Sequence, residues 1–307
     1  NDHEALLQEL AGLGLLQDDP ELEGRRNILM TPLWQAGDDS FAIADELVKH
    51  LADLPALPAK MGFAVDAGAN PMLQNNSADF RFERDATGGL ILRADGAALG
   101  RKVTQQTALQ AVLEMAEWFV QTGGVANRRM ASHLEKATLP ADWTTTAPAA
   151  QAEVLVPGPV GAYHIFGAAF GQIEAGAMRQ LLVDSAAEAI RVTPWRLFLL
   201  EGAKPVTSSG FITDADDPLL QVTACPGAPY CTAASVDTRN LARDLARRID
   251  GPLHISGCAK GCAFPRKCRT TLVGRNGAFD LVRDGLPWDE PQLSGLAPDT
   301  LTHRIGD

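Results

Sequence analysis

Cys225-Pro-Gly-Ala-Pro-Tyr-Cys231 and Gly257-Cys258-Ala-Lys-Gly-Cys262, separated by one helix-length segment, decide how the rest of this 307-residue chain is read. Four thiols in two tight pairs, spaced C-x5-C and C-x3-C, can converge on one soft centre. Thiolates select zinc, Cu(I) or iron–sulfur clusters over hard cations, and four of them complete a [4Fe–4S] cube. The Gly, Pro and Ala between them let the backbone wrap close to a bulky inorganic core. Disulfides fit less well, because five cysteines is an odd count in a chain too large to need stapling. Structural zinc favours knuckles of the C-x2-4-C type, so the wider first gap favours the cluster. The chain is therefore expected to be a redox enzyme whose cluster ligands are Cys225, Cys231, Cys258 and Cys262. A non-catalytic zinc-stapled binding protein is the competing class. Cys268, in Arg266-Lys267-Cys268-Arg269, is expected to be an ordinary half-buried thiol that opens a strand.

With 46% hydrophobic and 21% charged residues, the composition is that of ordinary globular domains, and the length allows two of them. A net charge of −11 excludes the basic footprint of a general nucleic-acid binder. No apolar run reaches membrane-spanning length, and Asn1-Asp2-His3-Glu4 is not a secretory signal. Together with free-thiol usage, this predicts a cytoplasmic protein with no nucleic-acid or membrane partner. One stretch runs against the acidity: Ala259 to Arg269 carries Lys260, Arg266, Lys267 and Arg269 and no acid. Beside thiolates, such charge can balance a negative cluster or grip an anionic substrate.

Periodicity predicts a helix after Ser40, with Ile43, Leu47, Leu51 and Leu54 on one face and Ser40 as N-cap. Further helices are expected over Gln105–Gln121, stopped by Gly123-Gly124, over about Glu174–Ala189, and after Asp237. The last would place Leu241, Leu245 and Ile249 inward and Arg239, Arg243 and Arg247 on the other side. Strands are expected at Met61–Val65, Phe80–Glu83, Leu90–Arg93, Arg196–Leu200, Thr270–Val273 and Phe279–Val282, with Asn276-Gly277 as a hairpin turn. The Ala-, Thr- and Pro-rich stretch over 137–152 reads as a linker. On either side of it the order strand, helix, strand, hairpin recurs: Asn27 to Pro32 through Asp95-Gly96, then Val222 to Pro226 through Asp284-Gly285. This suggests a pseudo-twofold molecule in which one copy keeps the cysteines.

At these residues the chain resembles the nitrite/sulfite reductase superfamily, over roughly Leu22 to Gly285. The resemblance implies an α+β fold of pseudo-twofold architecture, with mixed and antiparallel sheets and a ferredoxin-like half-repeat. It implies a first reductase-like half at 1–136, with no counterpart of the family's opening half-repeat before Leu22. The linker 137–152, a ferredoxin-like half-repeat at 153–214 and a cluster half at 215–307 would follow. In that family the two cysteine motifs hold a [4Fe–4S] cluster, and the last cysteine, here Cys262, bridges to sirohaem. Arg26-Asn27 resembles the pair that contacts the macrocycle. Leu57-Pro-Ala-Lys60-Met-Gly62 resembles the anion-binding segment, with Lys60 kept and Gly62 replacing the second lysine. Such a pocket is expected to be weaker for a small anion and roomier for a larger one.

His254-Ile-Ser-Gly-Cys-Ala-Lys-Gly-Cys-Ala-Phe-Pro265 and Thr193-Pro-Trp-Arg196 resemble the branch of that family that oxidises precorrins in the aerobic route to cobalamin. That branch implies a monooxygenase hydroxylating precorrin-3A with γ-lactone formation. It would use O2, an NADH-linked electron donor, a [4Fe–4S] cluster and a mononuclear non-haem iron. The alternative is a sulfite or nitrite reductase, for which sirohaem would be the added cofactor. A polycarboxylate ring calls for Arg forks and Lys points around it; the candidates are Arg26, Lys60, Arg196, Lys260, Arg266, Lys267 and Arg269. No catalytic acid or base is assigned. Trp195 is expected to be a buried strand aromatic and His254 a satisfied strand histidine.

Overall fold

The structure is a computed structural model that describes residues 2–17, 19–208, 210–298 and 301. The chain divides into two compact units, Asn1–Val154 and Leu155–Asp307.

The first unit opens with α1 (His3–Gly12), α2 (Pro20–Arg25), β1 (Ile28–Met30) and α3 (Asp39–Lys49). Then come β2 (Phe63–Asp66), β3 (Phe80–Arg84), β4 (Leu90–Ala94), β5 (Arg101–Lys102), α4 (Gln105–Gln121), α5 (Gly124–Asn127) and α6 (Met130–Leu134). The N-cap of α3 is Asp38, whose carboxylate accepts from Phe41 N–H, and not the expected Ser40, which is fully buried inside the helix. Leu51 and Leu54 lie beyond the helix, in and after a 3-10 turn, yet stay buried. Helix α4 has the expected bounds; Thr104 and Thr107 form its capping box, and Gly123 at φ 89° ends it. Ile43, Leu47, Val112, Met115 and Phe119 from α3 and α4 close the core against Phe63, Phe80 and Phe82 of the sheet.

The second unit carries a four-stranded antiparallel sheet in the order β6-β7-β9-β8. Its strands are β6 (Gly158–Val160), β7 (Tyr163–Gly167), β8 (Ala189–Val192) and β9 (Leu197–Glu201), with α7 (Ala175–Ser185) before β8. Glu174 caps α7, and Ala186 in the left-handed region stops it after Ser185, four residues short of the expected end. Then follow β10 (Val222–Ala224), α8 (Arg239–Leu245), β11 (Leu253–Ser256), β12 (Cys268–Arg275), β13 (Ala278–Gly285) and β14 (Leu293–Leu296). The expected Asn276-Gly277 turn joins β12 and β13, with both residues at positive φ, 52° and 81°. Trp195 lies in the turn before β9, half-buried, and not within a strand as expected, because β9 begins only at Leu197.

The α+β class with mixed and antiparallel sheets is the one expected. The repeat is physical as well. Each unit has one five-stranded sheet, β1-β2-β3-β4-β5 and β10-β11-β12-β13-β14. In both, the first three strands run parallel and the last three antiparallel. Parallel neighbours need a crossover, supplied by α3 in one unit and α8 in the other. The registers match too: Thr31 N–H bonds Val65 O just past β1, and Cys225 N–H bonds Ile255 O just past β10. Thr31 thus holds in the first unit the place that Cys225 holds in the second. No described helix is long and apolar enough to cross a membrane.

The parallel strand ends in the first unit bury carboxylates instead of thiols. Asp66 ends β2, is 1% exposed and sits opposite Glu83 in register. One oxygen, Oδ2, accepts from Met72 and Leu73 N–H at 2.7 Å each, while Oδ1 has no partner. Burial pushes its pKa up to about 6. The folded state then holds the proton more tightly than the unfolded chain, so this group's contribution to stability falls as pH rises through about 4 to 6 and stays low above. Asp66→Asn removes the ionisation while keeping an acceptor for Met72 and Leu73. The variant should gain on the wild type by up to about 3 kcal/mol across that window, read from urea midpoints at pH 4 to 7.5. A pH-independent difference would contradict this account.

Candidate functional site

Strands β10 and β11 are adjacent and parallel, so the loops that leave their C-terminal ends emerge side by side. That end of a parallel sheet is where open α/β folds place their ligands. The first loop carries Cys225 and Cys231, the second Cys258 and Cys262. Cys225 N–H bonds Ile255 O at 3.3 Å, and Gly257 N–H donates to Cys225 Sγ at 3.1 Å. Cys231 N–H bonds Gly227 O at 2.8 Å, and Thr238 Oγ1 donates to Cys225 O at 2.5 Å. Gly257, the glycine that opens the second motif, is required by this approach. A Cβ there would lie 2.6 Å from Ala234 Cβ and 3.4 Å from Cys225 Sγ. Gly227, at φ 66°, is equally closed off, with Thr238 Oγ1 2.6 Å from a Cβ.

Cys225 is buried, Cys231 and Cys258 are half-buried, and Cys262 is exposed. Cys225 and Cys262 line one cavity of about 260 Å³ together with Phe170, Arg196, Thr223 and Arg239. The thiols are not drawn into a closed cage: among the described residues, no three His, Cys, Asp or Glu side chains stand close enough to hold a metal ion. What suits a soft centre is the donor chemistry, the common sheet end of both loops and the space between Cys225 and Cys262. Cys268 opens β12 away from this cavity. Its thiol donates to Pro252 O at 3.3 Å, and burial pushes its pKa up, so it stays a neutral thiol.

His254 lies in β11 between Thr223 and Thr271 in register and is fully buried. The expectation of a satisfied histidine fails, since neither ring nitrogen has a partner, and neither does Thr271 Oγ1. Phe264 meets its ring edge-on at 5.9 Å, and burial pushes its pKa down to about 4, so it is neutral. The covering Phe264 comes from the cysteine loop, a contact that strand periodicity does not reveal.

Of the basic candidates in this unit, only Arg196 lines the cavity. It stands at φ 61°, and its Nη1 and Nη2 donate to the carbonyls of Val222 at 2.5 Å and Leu220 at 3.1 Å. Burial pushes its pKa down from the usual guanidinium value. Lys260, Arg266, Lys267 and Arg269 are exposed and do not line the cavity. Of the three arginines expected on the outer side of the α8 helix, Arg243 and Arg247 are exposed, Arg243 lying 5.2 Å over the Phe170 ring, while Arg239 is half-buried and lines the cavity. Arg239 and Phe170 were missed by sequence reasoning. The only hint was three arginines in a row at four-residue steps.

The first unit has its own cationic groove, of about 490 Å³, lined among others by Arg26, Asn27, Lys60, Gly62, Ser77 and Arg129. Arg26 is held by Glu23 through Nε at 2.9 Å and Nη2 at 2.8 Å, and by Leu15 O. Asn27 Nδ2 donates to the carbonyls of Ala59 and Met61. Lys60 is exposed. Gly62 does not simply enlarge the groove, as its reading from sequence held. A Cβ there would lie 2.7 Å from Asn27 O, so the glycine is demanded by close backbone approach. Arg129, which the sequence did not single out, pairs with Asp79 at 3.0 Å.

No protein-family model matches the chain. A precorrin-3B synthase from a Sinorhizobium species is 36% identical over 137 residues. The chain resembles precorrin-3B synthase. The match covers 39% of this chain and 30% of the relative, so the chain spans less than a third of the precorrin-3B synthase it matches. The solved structure of the Mycobacterium tuberculosis NirA protein shares the fold, with a TM-score of 0.56 and 17% identity over 91% of this chain and 66% of that one.

Arg196 carries structural weight that a pure surface contact would not. Replacing it by Ala leaves the Leu220 and Val222 carbonyls without their charged donor and should cost about 2–4 kcal/mol of stability. Urea unfolding checks this. A loss of only a few tenths would show that the two bonds contribute little.

Proposed function

We propose that this protein is an oxidoreductase of aerobic cobalamin biosynthesis, converting precorrin-3A to precorrin-3B by ring hydroxylation with γ-lactone formation. One atom of O2 enters the ring and the other leaves as water, with two electrons supplied by an NADH-linked donor. The observation that carries the proposal is the emergence of both cysteine loops from adjacent parallel strand ends, in a chain 36% identical to a precorrin-3B synthase over its matched part. Cys225, Cys231, Cys258 and Cys262 would hold a [4Fe–4S] cluster, which when bound supplies one-electron relay. The Gly257 N–H to Cys225 Sγ bond supports this role, since hydrogen bonds to ligand sulfur tune such centres.

The remaining work falls to this chain's own side chains. A substrate with several acetate and propionate arms is oriented by fixed cations, and orientation is the larger part of what a protein adds to cofactor chemistry. Lys60 and Arg26 line one cationic groove and Arg196 lines the cysteine cavity, where its charge is already held in place by two carbonyls. The exposed Lys260, Arg266, Lys267 and Arg269 add a positive field around the second cysteine loop and contribute chiefly to attracting the anion. A reducing cytoplasm, where four thiols stay free for metal, suits this reading. A sirohaem-dependent sulfite or nitrite reductase is the second reading. Lys60 without a second lysine at position 62 weighs against it, because a small oxyanion needs denser charge.

Anaerobic purification, followed by an absorption spectrum and counts of iron, sulfide and zinc, tests both. Cys258→Ser should abolish the brown cluster absorbance, whereas Cys268→Ser should leave it intact. Equal loss in the two variants means that the ligand set is wrong. A sirohaem spectrum would move the assignment to the reductase, and zinc without sulfide would remove both enzymes.

A further inference from the structure

Arg239 opens α8 and lines the cavity that Cys225 and Cys262 share. Its Nη1 donates to Gln172 Oε1 at 3.0 Å, which fixes the plane of the group. Its Nε is buried and has no partner. With Nη1 engaged, the unbonded edge of the fork is the one made by Nε and Nη2. That is the edge on which a guanidinium takes a carboxylate through two parallel hydrogen bonds. A buried N–H without an acceptor is rare in native proteins and calls for a missing partner.

The surroundings point the same way. The turn that supplies Gln172 passes through Phe170, a non-glycine residue at φ 59°, and Arg196 on the same cavity wall stands at φ 61°. Two residues held in a sparsely populated conformation on one wall mark a place that the rest of the unit keeps in shape. Phe170 also carries Arg243 over its ring, which packs the base of α8 against the turn. The hydrogen bonds of Arg196 and Arg239 run to carbonyls and an amide, and no carboxylate pairs with either among the described residues. Two partly desolvated cations facing one small cavity without a counter-charge favour an incoming anion.

We infer that Arg239 is a substrate-binding residue that grips a carboxylate inside the cysteine cavity through its Nε and Nη2. The inference rests on the proposed function, in which that carboxylate is one acetate or propionate arm of the tetrapyrrole. It adds to that reading a residue and an orientation, with one arm of the ring anchored on the Cys225–Cys262 side of the second unit.

The test uses the cluster-loaded protein and a metal-free octacarboxylate porphyrin as probe, with the dissociation constant read from quenching of the porphyrin's fluorescence. Arg239→Gln should weaken binding about tenfold or more, the loss expected when a two-pronged, charge-assisted contact is removed. Arg243→Gln, which alters the same helix outside the cavity, should change it less than twofold. If Arg239→Gln fails to retain its cluster, Arg239→Lys keeps the charge but loses the fork and should still weaken binding severalfold. Unchanged porphyrin affinity in the Arg239 variants overturns the inference, whether or not the reduction potential of the cluster moves. A shifted potential with unchanged affinity would make Arg239 a counter-charge to the thiolates instead. Failure of the wild type to bind the porphyrin would sink the tetrapyrrole reading along with it.

Discussion

The parallel pairing of β10 with β11 is the constraint on which the site depends. Parallel strands cannot be joined by a tight turn, so α8 must cross between them, and both strands then end at the same edge of the sheet. Two loops that are far apart in sequence leave that edge together. The bond from Gly257 N–H to Cys225 Sγ is the visible result. It forms only because position 257 lacks a Cβ, which would strike Ala234. The glycine of the second cysteine motif therefore belongs to the geometry as firmly as the cysteines do. Without it the loops would be forced apart and the thiols would lose their common edge.

The same sheet occurs in the first unit, with the same order and strand directions, and a different chemistry at the equivalent edge. Thr31 stands where Cys225 does, and the next strand ends in Asp66 where the other ends in Ser256. The backbone scheme is common to both, while the side chains at the strand ends have diverged. In one unit they hold thiols beside a cavity. In the other they bury a carboxylate that accepts from the Met72 and Leu73 amides and ties down the following loop. A duplicated fold thus offers two edges. Which of them gathers thiols is decided by a few residues rather than by topology.

Much of this was legible in the sequence, and the reasons differ by element. Helix α4 could be bounded because its apolar periodicity and the Gly123-Gly124 stop are local signals that need no tertiary partner; the Thr104 cap emerges only in the structure. The hairpin at Asn276-Gly277 was equally local. The cap of α3 was misplaced by two residues because Asp38 and Ser40 are both good caps, and only packing shows that Ser40 is turned inward. Spacing announced the cysteine loops, but it could not announce Arg239. An arginine at the start of a short helix reads as solvated until a turn from another sheet, carrying Phe170 and Gln172, is folded against it. His254 is the same kind of case: its strand was foreseen, but the unpartnered state of both ring nitrogens and the contact with Phe264 arise from tertiary packing.

Charge by itself proved a poor guide to which cations could serve a ligand; free hydrogen-bonding capacity is a better one. Arg26 and Arg196 line cavities, but their forks are engaged, the first by Glu23 and the Leu15 carbonyl, the second by the Leu220 and Val222 carbonyls. Such residues lend a fixed positive field and have little directional bonding left for a ligand. The basic run after Cys258 is exposed, where water screens it and its effect is one of attraction rather than recognition. Arg239 differs because one edge is anchored and the other is buried and idle. Holding a guanidinium by one side removes most of its conformational freedom before any ligand arrives, so less entropy remains to be lost on binding. The cations that line these cavities therefore fall into two kinds: engaged ones, which set the potential, and half-engaged ones, which keep directional bonding for a ligand.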